Sequence, residues 1–165
     1  MSADNQQERL EKNWIVGFVD GEGCFHVSLN RQEKMSLGWQ VLPEFRVVQH
    51  QRDIKILHKL KEYFNCGNIC KNHDERMEFR VRGLYNLNQI VKFFKENSLQ
   101  TSKQKNFEIF SEIIEMMNKK QHLNEEGLKE IASLASKMNR QIKRFLESSE
   151  TICQTLKSED IVRPV

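Results

Sequence analysis

Two carboxylates and two glycines within six residues carry the strongest chemical signal in the sequence: Gly17, Asp20, Gly21 and Glu22, in the run IVGFVDGEG at residues 15–23. The run reads as a short apolar helix over residues 13–23 that ends at a glycine. Asp20 and Glu22 then fall in its last turn, where a carboxylate faces the negative end of the helix dipole at a cost of about 0.3–1 kcal/mol each. Placed beside backbone carbonyls, they make poor sense for stability and good sense as ligands for a hard cation. Mg²⁺ takes oxygen donors, typically one or two carboxylates, and leaves positions for water and phosphate oxygens. Gly17 and Gly21 each cost about 1 kcal/mol against alanine inside a helix. At i and i+4 they leave one face bare, so another backbone can approach closely. The partner is either the chain's own sheet or a second such helix. In the second case two carboxylates meet beside a symmetry axis, an arrangement suited to metal-assisted phosphodiester hydrolysis.

These residues need elements to position them. Residues 24–30 alternate, with Phe25, Val27 and Leu29 on one side and His26, Ser28 and Asn30 on the other. Residues 39–49 alternate again, with Val41, Phe45 and Val47 inward and Gln40, Leu42, Glu44 and Arg46 outward. A period of two is the signature of half-buried antiparallel strands, and Pro43 within the second run suggests a bulge or an unpaired donor. Residues 53–64 switch to a helical period through Leu57, Leu60 and Phe64. Two strands are predicted at 68–72 and 76–82, then a helix with Leu87, Ile90, Val91 and Phe94. After a break at 97–102, further helices are predicted through Phe107–Met117 and from an Asn124 N-cap onward, with Glu125 and Glu126 in the first turn. The order α-ββ-α-ββ-α followed by more helices predicts an α+β domain, an antiparallel sheet backed by helices. Its open face would be polar and unlike a core. The chain divides into an N-terminal polar extension (1–12), the domain (13–145) and a C-terminal tail (146–165).

The net charge of +3 over 165 residues conceals a gradient. Residues 24–106 hold 15 Lys and Arg against 8 Asp and Glu, whereas the first 23 residues and residues 107–136 are acidic. A basic block suggests a polyanionic partner. No apolar run approaches the ~18 residues of a membrane span, and the polar, acidic start is unlike a signal sequence. Cys24, Cys66, Cys70 and Cys153 form no CxxC pair, which fits a reducing compartment; Cys66 and Cys70 near His73 read as ordinary thiols rather than zinc ligands.

The run IVGFVDGEG resembles the signature of the LAGLIDADG homing endonucleases. PEFRVVQ at residues 43–49, QTSKQKNF at 100–107 and HLNEEGLKEI at 122–131 also match habits of that family. The resemblance implies a curved saddle-like sheet and a catalytic, metal-binding carboxylate at Glu22. It adds the Gly21 carbonyl as a further metal ligand and gives Asp20 a structural role at the helix end, with Gly17 in the motif. Gln49 would order water near the scissile phosphate, and Lys103 would act on the water network or the developing charge, with Lys105 a less certain neighbour. It also implies Mg²⁺ as cofactor, with Mn²⁺ substituting and Ca²⁺ supporting binding without efficient cleavage.

A single motif implies a homodimer, which would read a long (pseudo)palindromic double-stranded DNA site and cut both strands. The strands would lie in the major groove. Readout candidates are His26, Ser28, Asn30, Gln32, Gln40, Arg46, Arg80 and Arg82. Lys34, Lys71, Arg140, Lys143 and Arg144 are candidate phosphate contacts, and Asn72 and Arg76 are assigned to either group. The function implied is that of an intron-encoded, site-specific endonuclease located inside the cell, in a chloroplast, mitochondrion or bacterial cytoplasm. The rivals on the same scaffold are an RNA maturase that binds intron RNA and a non-catalytic DNA-binding regulator.

Overall fold

A computed structural model describes residues 9–138. Arg140, Lys143, Arg144 and the tail 146–165 lie outside the described residues, as does most of the N-terminal extension. The elements run α1 (Lys12–Glu22), β1 (Gly23–Arg31), β2 (Trp39–His50), α2 (Ile54–Phe64), β3 (Asn68–Lys71), β4 (Arg76–Val81), α3 (Leu84–Glu96), α4 (Lys103–Asn118) and α5 (Glu125–Met138). This is the predicted α-ββ-α-ββ-α order with two further helices.

The four strands form one antiparallel sheet in the order β1-β2-β4-β3. Phe25, Val27, Phe45, Val47, Phe79 and Val81 all turn to the helical side and are buried, as their period of two requires. Phe25 is the hub of an aromatic cluster. Its ring centroid lies 5.2–5.5 Å from those of Phe45, Phe94, Phe107 and Phe110, so β1, β2, α3 and α4 share one core. The helical stripes Leu57–Leu60–Phe64, Leu87–Ile90–Val91–Phe94 and Leu128–Ile131–Ala135 close it. The Asn124 side chain accepts a hydrogen bond from the Gly127 N–H at 2.8 Å, which is the predicted N-cap. No described helix is long and apolar enough to cross a membrane.

Three expectations change in detail. The β1–β2 register runs unbroken through Val27 opposite Pro43, so there is no bulge. The β2–β4 ladder starts only at Phe45, and Pro43 lies outside it. The helix ends at Gly23 as expected, with that residue's backbone extended at φ −77° and ψ 155° instead of left-handed. Its glycine identity has a steric cause: a Cβ there would lie 2.6 Å from Val19 Cγ1 and 2.8 Å from the Val19 carbonyl oxygen. Finally, the open face of the sheet is not polar surface throughout. Glu44 and Glu78 are 5% and 0% exposed upon it, each paired with neighbouring arginines.

Candidate active site and nucleic-acid interface

Gly23 opens β1 directly opposite Val47 of β2. The residue before it, Glu22, therefore comes level with the far end of β2 with no loop between helix and strand. There it lines a depression of about 350 Å³ together with Val48, Gln49, His50 and Arg76. The fold thus brings together two residues singled out in the sequence, Glu22 and Gln49, although 27 positions apart. It adds Arg76, which was read only as a possible DNA contact, and His50, which was not singled out. Glu22 is exposed and makes no hydrogen bond or ion pair among the described residues.

Asp20 behaves in the opposite way. Its carboxylate accepts from the N–H of Gln100 at 2.7 Å, the N–H of Thr101 at 3.2 Å and the Thr101 hydroxyl at 2.8 Å. Burial pushes this carboxyl up, but the hydrogen bonds from Gln100 and Thr101 and the nearby Lys103 charge outweigh it and hold the group below the ordinary carboxylate value. Asp20 is therefore a tether from α1 to the segment that leads into α4.

Lys103, the first residue of α4, completes that junction. Its half-buried side chain donates from Nζ to the Val19 carbonyl oxygen at 2.9 Å. The same oxygen accepts the Gly23 N–H. An ammonium here meets the negative end of the α1 dipole. Burial pushes its pKa down, while Cys24, Asp20 and Glu22 act in the opposite sense. Lys103 does not line the depression, although its charge reaches Glu22. Lys105 is exposed on α4 and is not brought to the site.

His50 is held from both sides. Its Nδ1 accepts the Arg52 N–H at 3.2 Å, so the proton sits on Nε2, 2.8 Å from Glu75 Oε2. With both nitrogens engaged, His50 ties the end of β2 to the turn between β3 and β4. Its neighbour Gln51 donates its N–H to the Glu75 carbonyl at 2.7 Å, a second tie to the β3–β4 turn.

Oxygen donors of the kind a hard cation takes lie close together in the chain where the helix ends: the Glu22 carboxylate and the carbonyls beyond Val19, Gly21 among them, which have no partner within the helix. Among the described residues no three His, Cys, Asp or Glu side chains cluster as metal ligands. A sparse oxygen set of one carboxylate and a carbonyl fits a cation that keeps most of its water, as Mg²⁺ does.

From this corner the open face of the sheet runs away in rows set by the register. His50 faces Arg76, and Val48 faces Glu78 beside Cys70. Cys24, Arg46, Arg80 and Asn68 form the next row, then His26 with Glu44, Ser28 with Leu42 and Asn30 with Gln40. The readout candidates of β1, β2 and β4 therefore share one face. Arg82 follows β4 and joins that face through Glu44. Asn72 donates to Glu78 at 3.0 Å, and Ser28 donates to the Leu42 carbonyl at 3.4 Å. Gln32 and Lys34 are exposed in the β1–β2 loop. Lys71 pairs with Met77, on the helical side of the register, and is exposed at the edge strand.

The opposite side of α1 is open. Trp14, Gly17, Phe18 and Gly21 recur at helical spacing, Trp14 is 42% exposed and stacks on Phe18 at 4.7 Å, and a Cβ on either glycine would meet nothing within 4 Å.

Comparison with known proteins gives a consistent outcome. The family described as LAGLIDADG endonuclease matches residues 15–114. A probable intron-encoded endonuclease 2 of Neurospora crassa is 33% identical over 143 residues, 85% of this chain and 32% of that protein. The chain thus spans about a third of the length of that relative. Among solved structures, the homing endonuclease I-TnaI superposes with a TM-score of 0.82 at 46% identity, covering 85% of this chain and 98% of that one. The I-SmaMI LAGLIDADG homing endonuclease, bound to cleaved DNA, superposes at 0.81 and 30% identity, covering 85% of this chain and 49% of that one.

Proposed function

The chain belongs to the LAGLIDADG endonuclease family, and on that premise we propose that it is an intron-encoded, site-specific DNA endonuclease. As a homodimer it binds a long, (pseudo)palindromic duplex and makes a double-strand break by phosphodiester hydrolysis with a divalent metal, Mg²⁺ or in its place Mn²⁺. The observation that carries this reading is the contrast between two acids on one helix end. Asp20 is consumed by three hydrogen bonds, whereas Glu22, two residues on, opens unpaired onto a depression shared with Gln49.

The residues divide the work. Glu22 and the Gly21 carbonyl would hold the cation, which supplies positive charge at the scissile phosphate and acidifies water. The Gln49 amide, with a donor and an acceptor, orients a water in the depression. Arg76 contributes a guanidinium for phosphate oxygens. Lys103 and Asp20 hold the end of α1 so that Glu22 keeps its place beside β2. The bare Gly17–Gly21 face supports the dimer, since a second copy of α1 seated there brings two Glu22 sites together across a two-fold axis. The sheet faces then line one continuous groove for the duplex.

The test uses DNA spanning the uninterrupted insertion site of the encoding intron, with Mg²⁺ or Ca²⁺, and compares the native protein with Glu22→Gln. Expected are double-strand cleavage in Mg²⁺, binding without efficient cleavage in Ca²⁺, and a variant that binds but does not cut. Undiminished cutting by Glu22→Gln overturns the site. Binding to intron RNA with no cutting of DNA would favour a maturase instead.

A further inference from the structure

Two buried carboxylates lie on the face of the sheet that points away from the core, and neither belongs to the proposed metal site. Glu78 is wholly buried and saturated. It is ion-paired with Arg80 Nη2, accepts from Asn72 Nδ2 at 3.0 Å and has the Cys70 thiol at 3.7 Å. Glu44 holds three arginines at once. Its Oε1 accepts from Arg82 Nε at 3.0 Å and Nη2 at 2.5 Å, and its Oε2 lies 3.7 Å from Arg46 Nε and 3.9 Å from Arg80 Nε. Removing a carboxylate from water is costly, and a buried ion pair commonly contributes no more stability than apolar residues of the same volume. The arrangement therefore needs a reason other than folding.

Arg46 and Arg80 supply it. They stand directly opposite one another in the β2–β4 register, a like-charge pairing that weakens a sheet. Their Nε–H groups are buried without a hydrogen-bond partner. Yet each side chain is still 29% exposed, so part of it reaches the open face. The acids engage some of the guanidinium N–H groups, and the remaining exposure of the side chains leaves room for others to meet a ligand on the open face. Such a fork matches the O6 and N7 acceptors of guanine, the most frequent specific contact made by arginine in the major groove. A free arginine would have to lose rotamer freedom to reach that state; one already clamped does not.

We propose that Glu44 and Glu78 are positioning residues that preset Arg46, Arg80 and Arg82 to read a cluster of guanines in each half-site. This inference rests on the DNA-binding reading above and adds to it the base type and the residues that fix its readout. Neither carboxylate touches DNA itself, because both are enclosed.

The first test needs no DNA. In ¹⁵N spectra of the free full chain, Arg46, Arg80 and Arg82 should give dispersed Nε–H signals that exchange slowly with water. Glu78→Gln should release the Arg80 signal, and Glu44→Gln those of Arg82 and Arg46, to the averaged position of exposed arginines. Three fast-exchanging, averaged signals in the native protein overturn the proposal without any variant having to fold. The second test selects from a pool of randomised duplexes in Ca²⁺. The native protein should enrich a guanine cluster in each half-site, and both variants should lose at least 10-fold of that preference with the salt dependence of binding unchanged. Arg80→Lys, which keeps the charge and loses the fork, should lose it too. Unchanged guanine preference in the variants overturns the positioning role and leaves the endonuclease reading intact. A native protein that enriches no sequence overturns the endonuclease reading, and this inference with it.

Discussion

Lys103 Nζ and the Val19 carbonyl oxygen lie 2.9 Å apart, a cation from the start of α4 on the end of α1. Burial outweighs the neighbouring Cys24, Asp20 and Glu22 and holds Lys103 below the ordinary lysine value, so its charged form contributes little to the stability of the fold. Lys103→Met should therefore shift melting by no more than about 3 °C, which corresponds to roughly 1 kcal/mol in a chain of this size. Its single-turnover cleavage rate in saturating Mg²⁺ should fall at least ~10-fold, about 1.4 kcal/mol of barrier. A large melting loss with an unchanged rate would make Lys103 purely structural.

Asp20 gives a pH signature. Its folded value is held below that of the unfolded chain by Gln100, Thr101 and Lys103, against burial. The stability it contributes is full above the unfolded value near 3.8 and is lost as pH falls through the lower folded value. Asp20→Asn should be less stable than the native chain by about 1 kcal/mol at pH 7, the scale of a lost cap. That difference should close in the acid limb below the ordinary carboxylate value. Melting curves from pH 7 to pH 2 check it, and a gap that stays constant across that range rules it out.

The open face of α1 separates folding from assembly. A Cβ at Gly17 meets nothing within this chain, and alanine gains up to about 1 kcal/mol over glycine in a helix. Gly17→Ala and Gly17→Leu should therefore fold at least as stably in the monomer. The leucine variant should fail to dimerise, as read by sedimentation equilibrium. A native chain that stays monomeric on and off DNA would remove the dimer.

Gly23 is the converse case. Gly23→Ala drives a Cβ into the Val19 backbone, and relief moves the α1–β1 junction at a cost of about 1–3 kcal/mol. Melting temperature and cleavage rate should fall together, because Glu22 is the adjacent residue. Native stability with native cutting would show that the junction yields easily.

How far the sequence disclosed this arrangement depends on the kind of interaction. Phe25, Val27, Phe45 and Val47 alternate so regularly that strand faces and register side were legible, as were the helical stripes and the Asn124 cap. Misplaced acids at a helix end pointed to the pair Asp20 and Glu22, and the family resemblance to Glu22 within it. What local pattern does not encode is which distant group answers a given side chain. By residue type and place Asp20 and Glu22 look equivalent, and it is Gln100 and Thr101, 80 and 81 positions away, that separate them. Alternation likewise put Glu44 and Glu78 on the outer face, but it does not state that Arg46, Arg80 and Arg82, gathered along β2 and β4, pair with them there. Arg76 and His50 joined the depression because β4 begins opposite the end of β2, a relation between strands that neither strand states.

The direct passage from Glu22 to Gly23 has an evolutionary corollary. The residue proposed to cut and the first residue of the reading strand share a peptide bond, so their offset cannot drift. An insertion or deletion in β1 would turn every outward side chain inward. On the proposed function, lineages of this chain acquire new DNA targets by exchanging side chains at fixed positions. Changes of length are confined to places such as the turn between Arg31 and Trp39, and the cutting position stays constant relative to the bases being read.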